Sequence, residues 1–415
     1  MSGPAALAAA EKVADAVMCE GQVLYPYRAS AAKNRLRWQF GVLTPRSYAE
    51  REGGERWSMT SRCLLDAGEG ASVSVRARFV RSRSRTVVVD GREVESAEVG
   101  GRLLTSFDET VEESVDAGPV AASDLLGEPL RLPIRLAGAE TVEAPLVYRL
   151  LPLEGLLSVS AEALPGPYGL LRVAASLENL TGWEPPPGGA TRGDALQRSM
   201  IAAHLLLATT AGRWLSAVDP PEFARGLAGA AEQEGCFPVL VGDDDRVVLA
   251  APIILYDHPE VAPESAGDYC DATEIDEILS LRTLALTDEE KREARATDGR
   301  AAEILDRCDN MPPEIWARLH GAIRSMRPAG EEPDYAYVGA TRVRAGTRVR
   351  LRPAHGADAQ DLFLDGKSAT VTGVFTDFDG EVHLAVTVDD DPGADMHSWY
   401  GRFRYFKPHE VEVLR

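Results

Sequence analysis

The chain has 415 residues, 45% of them hydrophobic, and a formal net charge of −21 at pH 7. This length exceeds one ordinary domain core and predicts two or three domains. The acidic excess argues against general binding to the phosphate backbone of DNA or RNA, which it would repel. Residues 1–92 differ, because they carry 15 Lys and Arg against 9 Asp and Glu. We interpret this basic region as docking on the acidic remainder of its own chain, with a separate anionic partner as the alternative.

Residues 1–17 predict a helix, and the charges of Glu11, Lys12 and Asp15 inside it are unlike those of a signal peptide. No apolar segment reaches the roughly 20 residues needed to cross a bilayer, so membrane insertion is not expected. The cysteines are odd in number, lie far apart and include no CxxC pair of the kind that holds zinc or an iron–sulfur cluster. They are Cys19, Cys63, Cys236, Cys270 and Cys308. This pattern favours reduced thiols and a cytoplasmic protein.

The first part of the chain alternates apolar and polar residues with the period of β-strands. Strand-like runs extend from Trp57 to Leu177 and are separated by glycine and proline turns, which favours antiparallel sheets. One run carries Arg76, Arg78, Arg81, Arg83 and Arg85, which we interpret as a solvated strand face. Residues 182–193 include three consecutive prolines and predict a domain boundary. The sequence therefore predicts a β-rich N-terminal domain, residues 1–181, preceded by a helix.

Residues 194–326 predict a mixed, helix-rich domain. Asp194 is expected to cap a helix, because apolar residues follow at helical spacing. This stripe consists of Leu196, Met200, Ala203 and Leu207. Val239–Val241 and Val247–Tyr256 flank a glycine and aspartate turn and predict a β-hairpin. Thr287 begins a capping-box pattern and predicts the start of a further helix.

Residues 341–415 predict a small all-β domain. About five short strands alternate with turns that contain glycine, aspartate and proline, a pattern that suits an SH3-like β-barrel. Barrels of this kind commonly bind or dock other molecules. The predicted fold class is thus α+β and multidomain: a β-rich N-terminal domain, a mixed α/β middle domain and a small C-terminal SH3-like β-barrel.

Motifs of catalysis are not found in this sequence. There is no GxGxxG, no GxSxG and no HExxH, so dinucleotide, α/β-hydrolase and zincin chemistry lack their usual supports. No catalytic residue is predicted, and the sequence favours a protein without enzymatic activity.

One loop gathers residues of the types that bind nickel, zinc or iron. These candidate metal ligands are Asp257, His258, Glu260 and Cys270. Their spacing matches no defined metal site, and the alternative is helix capping and loop hydrogen bonds. His204 lies beside an apolar stripe and is expected to be a hydrogen-bonded core histidine.

Two surfaces are candidates for binding a partner protein. In the C-terminal domain, strand alternation places Tyr400, Arg402, Arg404 and Phe406 on one face, which we interpret as a docking surface because Tyr and Arg are enriched in interface hot spots. Trp399, Phe403 and Tyr405 would then belong to the core, and an ordinary barrel strand is the alternative. The second candidate is a basic and aromatic cluster near the N-terminus. Its cationic members are Arg28, Lys33, Arg35 and Arg37.

Three groups of segments resemble an uncharacterised actinobacterial protein family encoded in gene clusters for uptake nickel–iron hydrogenases. They are Tyr25–Arg35 with Trp38–Gly41, Asp271–Leu279 with Leu281–Leu284, and Val388–Pro392 with Trp399–Arg402. The C-terminal part is also loosely similar to the SH3-like domain of the nitrile hydratase β subunit. The family resemblance implies a cytoplasmic, non-catalytic accessory, assembly or scaffold protein whose partner is a hydrogenase subunit or maturation protein. The alternatives are a metal carrier or enzyme that uses the His258 and Cys270 loop, and a permanent structural subunit of the hydrogenase complex.

Overall fold

The computed structural model describes ten stretches of the chain. They are residues 3–52, 54–186, 189–260, 269–270, 276–312, 335–339, 341–353, 364–376, 382–389 and 404–414. The chain is mainly β-strand with fewer helices, arranged in several sheets, in keeping with an α+β class. It forms two compact units, residues 1–311 and 312–415.

The first unit contains eight α-helices, two short 3-10 helices (Asp124–Leu126 and Glu222–Ala224) and fifteen strands among its described residues. The helices are α1 (Gly3–Cys19), α2 (Ala32–Arg35), α3 (Arg46–Glu52), α4 (Arg192–Leu196), α5 (Arg225–Gly229), α6 (Asp276–Leu284), α7 (Asp288–Thr297) and α8 (Gly299–Asp309). The strands are β1 (Ser58–Ala67), β2 (Ser72–Val89), β3 (Arg92–Val94), β4 (Ser96–Val99), β5 (Arg102–Thr105), β6 (Phe107–Ala121), β7 (Leu130–Leu136), β8 (Ala139–Glu143), β9 (Leu146–Leu150), β10 (Leu153–Ala163), β11 (Leu171–Asn179), β12 (Ile201–Thr209), β13 (Gly212–Leu215), β14 (Phe237–Val241) and β15 (Val247–Ala251).

Two antiparallel sheets enclose the main core of this unit. One has the strand order β13-β1-β11-β10-β7 and the other β14-β15-β12-β2-β9-β8, with β3 and β6 also paired to β2. Alternate residues of β2 and β11 point into a shared hydrophobic cluster, as the period of two requires. From these two strands the cluster takes Val73, Val75, Ala77, Phe79, Leu171, Val173, Ala175 and Leu177.

Helix α1 covers the outer face of the second sheet. Its buried residues Ala10, Val13, Ala14 and Val17 follow helical spacing and pack against Leu206 of β12 and residues of β14 and β15. The other face of β12 contributes Leu205 and Leu207 to the main core. The predicted helix through Met200 and Leu207 is therefore wrong. Residues 201–209 form a strand that is buried on both faces, so no polar alternation marks it.

The predicted domain boundary at residues 182–193 does not separate two units. β12 pairs with β2 and β13 pairs with β1, so strands that follow the proline-rich segment complete both sheets begun before it. Residues 1–181 and 194–311 consequently share one compact unit. The predicted hairpin is confirmed as β14 and β15, and the capping box at Thr287 is confirmed at the start of α7.

The second unit is built of antiparallel strands. They are β16 (Ala336–Val338), β17 (Thr341–Val343), β18 (Arg348–Leu351), β19 (Ser368–Thr376), β20 (Val382–Val388), β21 (Arg404–Phe406) and β22 (Val411–Val413). β16 pairs with β17, and the other five form a sheet in the order β21-β20-β19-β18-β22. Its core includes Val349, Val371, Leu384 and Phe406. In the described parts of the chain, no helix is long and apolar enough to cross a membrane.

The five arginines of β2 are paired with carboxylates. Arg76 contacts Glu11 and Asp116, Arg78 contacts Asp15, Arg81 contacts Glu113, and Arg83 and Arg85 share Glu109. Glu109, Glu113 and Asp116 come from the neighbouring strand β6, and Glu11 and Asp15 come from α1. The interpretation as one solvated face is therefore wrong, because strand alternation places Arg76 and Arg78 on the face opposite Arg81, Arg83 and Arg85. All five charges are neutralised within the chain. This supports the interpretation that the basic N-terminal region binds acidic residues of its own chain.

His204 of β12 makes stability sensitive to mild acid. Its side chain is 0% exposed, its Nδ1 contacts the Ala202 carbonyl at 2.8 Å, and its Nε2 has no partner among the described residues. Burial lowers the pKa of the imidazole from 6.5 to about 4, with a smaller contribution in the same direction from Arg78. The folded state therefore keeps His204 neutral while the unfolded state takes up a proton below pH 6.5.

We expect stability to fall between pH 6.5 and pH 4, by up to roughly 3 kcal/mol from this group. Urea unfolding at pH 7, 5.5 and 4.2 measures this loss. The variant His204→Gln cannot take up the proton and should lose less stability across that interval. An equal pH dependence in both proteins would assign the acid sensitivity to other groups.

Candidate functional site

The segment after α1, residues 20–38, is held in place by buried polar contacts. The Asn34 side chain accepts a hydrogen bond from the Leu24 amide at 2.8 Å and donates to the Leu24 carbonyl at 2.7 Å. It also donates to the Arg28 carbonyl at 3.1 Å. Because Asn34 points inward from the short helix α2, the next residues, Arg35 and Leu36, face solvent. The segment is thus a fixed loop that presents one basic and one apolar side chain.

Arg37 lies at the base of this segment and is buried between aromatic rings. Its guanidinium lies 4.1 Å from the ring centre of Trp38 and 3.9 Å from that of Phe107. It donates hydrogen bonds to the backbone carbonyls of Gln22 and Asp108. Burial lowers the pKa of Arg37 to about 10, while the charges of Asp108 and Asp298 oppose that shift. Arg37 therefore remains charged at neutral pH and contributes fixed positive charge.

These residues line a cleft of about 500 Å³, which we call the arginine cleft. Its walls come from residues 29–38, from β2, from residues 106–108 at the start of β6, and from α4 with the residue that follows it. It is lined by Ala29, Asn34, Arg35, Leu36, Arg37, Trp38, Ser84, Arg85, Thr86, Ser106, Phe107, Asp108, Arg192, Gly193, Leu196 and Gln197. Four of these side chains are arginines and one is a carboxylate, so the lining is strongly basic in an acidic protein.

Three of the four arginines, Arg37, Arg85 and Arg192, form hydrogen bonds or ion pairs within the chain. Arg85 pairs with Glu109 at 2.7 Å and donates to two carbonyls at the end of α7. Arg192 pairs with Glu55 at 2.7 Å and donates to the Trp38 carbonyl at 2.6 Å.

Arg35 differs from the other three. It is exposed and makes no hydrogen bond or ion pair with any residue that the structure describes. Leu36 beside it is 68% exposed. The mouth of the cleft therefore offers a guanidinium and an aliphatic side chain to a binding partner.

Asp108 is the one carboxylate among the described residues that line the arginine cleft. Burial raises the pKa of its carboxyl group, and the nearby charge of Arg37 partly offsets this rise. Its carboxylate oxygens form no hydrogen bond with the described residues. A desolvated carboxylate in a cleft is a common feature of functional sites. Here it can accept a hydrogen bond from a hydroxyl or amide group of a bound molecule.

The N-terminal cationic cluster is only partly available as a binding surface. Arg28 forms an ion pair with Glu290 of α7 at 3.3 Å, and Arg37 is buried. Ser30 and Ala29 also donate backbone hydrogen bonds to side chains of α7. Lys33 is exposed, like Arg35. Of the four predicted residues, Arg28 and Arg37 hold the loop in place, while Arg35 lies at the cleft mouth.

The predicted docking face of the second unit needs a correction. Phe406 is 3% exposed and belongs to the core, opposite Leu384, whereas Tyr405 is 45% exposed. Strand alternation correctly places neighbouring residues on opposite faces. The face that was predicted to be exposed to solvent is, at Phe406, the face that packs into the core. Arg404 lies in β21 at the position opposite Val386. Tyr400 and Arg402 lie outside the described residues.

The predicted metal ligands do not form a metal site. Cys270 is bonded to Cys19, so it has no free thiolate, and the expectation that all five cysteines are reduced is wrong in this structure. Asp257 accepts hydrogen bonds from Ser216 and from the Leu240 amide. His258 contacts the Gly242 carbonyl at 2.6 Å. Across the described stretches, no group of three or more His, Cys, Asp and Glu residues is arranged to hold a metal ion.

Several residues of the arginine cleft were not predicted from the sequence. Asp108 and Arg192 lie far from residues 35–38 along the chain and carry no motif, and only the fold brings them together. Cys19 likewise gives no signal for its pairing with Cys270, which is 251 residues away. Comparison with known protein families finds no matching family model, and comparison with curated proteins finds no match.

Proposed function

We propose that this chain is a non-catalytic accessory protein that assembles or holds a nickel–iron hydrogenase in the cytoplasm. It would act by docking on a hydrogenase subunit or a maturation protein through the arginine cleft. Two of the segments that resemble the hydrogenase-associated family, Tyr25–Arg35 and Trp38–Gly41, contribute residues to the lining of the cleft. The second unit, with its five-stranded antiparallel sheet, we propose to be SH3-like.

The observation that best supports this proposal is that the Arg35 side chain is exposed and has no partner among the described residues. In a protein with a net charge of −21, carboxylates are abundant, and Arg85 and Arg192 of the same cleft are paired with them. Arg35 instead lies exposed next to Leu36, above the buried Arg37, Trp38 and Phe107. Arginine is enriched among the residues that dominate binding at protein interfaces, and here an exposed arginine lies beside buried aromatic residues. The positive cleft favours a partner segment with an acidic side chain and an apolar neighbour.

Affinity capture of the full-length protein tests this function. We expect the tagged chain, purified from its native cells under conditions that induce hydrogenase, to carry a hydrogenase subunit or maturation protein identified by mass spectrometry. A partner present only before hydrogenase matures would indicate an assembly factor, whereas equal amounts in the mature complex would indicate a permanent subunit. Capture without any hydrogenase component would contradict the proposal.

A further inference from the structure

A single disulfide joins two distant parts of the first unit. Cys19 ends α1, and Cys270 lies 251 residues later in the sequence. Neighbouring contacts reinforce this junction. The Gly21 amide donates to the Cys270 carbonyl at 3.0 Å, and the Tyr27 hydroxyl donates to the Tyr269 carbonyl at 3.2 Å. The bond therefore attaches the start of residues 20–38 to the region that precedes α6.

The disulfide borders a cavity of about 380 Å³ at the protein surface. The cavity is lined by Cys19, Cys270, Arg300, Glu303, Ile304 and Arg307. The two half-cystines are 9% and 5% exposed, so access to their sulfur atoms is limited to small molecules or a narrow part of a larger one. Two arginines and one glutamate line the cavity, and Arg300 also forms an ion pair with Glu112 at 2.8 Å, so Arg307 is the lining cation that this pair does not neutralise. Nearby cations stabilise a thiolate and so favour its departure from a disulfide.

We propose that Cys19 and Cys270 form a reversible thiol–disulfide exchange site, opened by dithiol reductants, that controls the arginine cleft. Disulfides of cytoplasmic proteins are mostly transient and serve catalysis or redox sensing, and this chain is proposed to be cytoplasmic. The exchange itself depends only on the bond and its cavity. The control of the cleft rests additionally on the proposed docking function.

The reaction requires no other component than the dithiol. A thiolate of the reductant attacks one sulfur of the Cys19–Cys270 bond, and the other sulfur leaves as a thiolate that takes up a proton. The second thiol of the reductant then displaces the protein sulfur from the mixed disulfide. The protein gains two electrons and two protons, and the reductant becomes a disulfide. The reverse reaction with an oxidised dithiol restores the bond.

The disulfide is connected to the arginine cleft through the chain itself. Residues 20–38 run from Cys19 to the cleft wall, and the Gln22 carbonyl accepts a hydrogen bond from Arg37. The Gln22 side chain in turn accepts hydrogen bonds from Thr110 and Arg300. Loss of the covalent bond removes one fixed end of this segment. We expect the reduced protein to hold Arg35 and Leu36 less rigidly and to dock more weakly.

The other three cysteines provide an internal control for the exchange. Cys63, Cys236 and Cys308 are 4%, 2% and 2% exposed. Burial raises the pKa of Cys63 to about 11 and that of Cys236 to about 12, and it also raises the pKa of Cys308. As protonated, buried thiols they should resist alkylation in the folded protein.

Native-state thiol trapping tests the exchange site. The full-length protein is treated with or without dithiothreitol, alkylated with N-ethylmaleimide and mapped by mass spectrometry. We expect Cys19 and Cys270 to be labelled only after reduction, and Cys63, Cys236 and Cys308 to stay unlabelled in both samples. Labelling of Cys19 and Cys270 without reductant, no labelling after it, or equal labelling of all five would each overturn the proposal.

Hydrogen exchange tests the control of the cleft without any partner. Peptides from residues 20–38 should exchange roughly tenfold faster or more in the reduced protein and in Cys19→Ser, whereas peptides from β11 should not change. The variant Cys63→Ser serves as the matched control and should retain the slow exchange of the oxidised wild type. Unchanged hydrogen exchange of residues 20–38 after verified reduction would overturn the control of the cleft. If the protein does not dock on a partner, the proposed docking function fails, but the results of thiol trapping and hydrogen exchange are unaffected.

Discussion

Replacing Arg81 by methionine should lower the free energy of unfolding of the first unit by about 3–5 kcal/mol, because it leaves a buried charge without its partner. The Arg81 side chain is 7% exposed and donates to Glu113 at 2.9 and 2.6 Å. It also donates to the Ala137 and Leu151 carbonyls, each at 3.1 Å. Methionine fills much of the space but satisfies none of these four contacts. The loss should be largest in the sheet that contains β2.

The measurement is urea-dependent hydrogen exchange of peptides that cover β2. The control variant Arg149→Met also removes an arginine with two carboxylate partners, Glu93 and Glu140, but this side chain is 47% exposed. It should leave β2 nearly unchanged. Adding Glu113→Leu to Arg81→Met should recover part of the loss, because the uncompensated charge is then removed. Equal effects of Arg81→Met and Arg149→Met would contradict the burial argument.

Replacing Arg35 by glutamate should reduce capture of the partner by about tenfold or more, since reversing a charge at the mouth of a basic cleft costs at least 1.4 kcal/mol in binding. Arg35 has no partner among the described residues, so its replacement should leave stability unchanged. The measurement is the amount of partner recovered with each full-length variant. The matched control is Arg131→Glu, because Arg131 is also exposed and without a described partner but lies on β7, away from the arginine cleft. Equal losses in both variants would indicate a general effect of charge.

Elements that depend on local patterns can be predicted from the sequence. Helix α1, the hairpin of β14 and β15, and the capping box at Thr287 follow from periodicity, turn residues and side-chain spacing. Residues 201–209 do not, because a strand with two buried faces and a buried helix have similar runs of apolar residues. The sequence also does not determine which face of β21 is buried, since alternation separates the two faces of a strand without indicating which one packs into the core.

In the candidate site, too, residues that are close together in the sequence could be predicted, whereas residues brought together only by the fold could not. Arg35, Arg37 and Trp38 are close together in the sequence, and their basic and aromatic character marks them as candidates. Asp108 and Arg192 join them only through the sheets, which bring β6 and the start of α4 to the same place. The bond between Cys19 and Cys270 spans 251 residues, and cysteine spacing alone does not predict such a pair.

Site-specific photo-crosslinking from Leu36 tests the docking function at the arginine cleft most directly. A photo-reactive amino acid replaces Leu36, 68% exposed at the cleft mouth, or Ile254, 76% exposed elsewhere on the first unit. The cells are irradiated under hydrogenase-inducing conditions, and the crosslinked proteins are identified by mass spectrometry. We predict that a hydrogenase subunit or maturation protein crosslinks at position 36 and not at position 254. Crosslinks to these proteins from position 254 alone, or from neither position, would contradict docking at the arginine cleft.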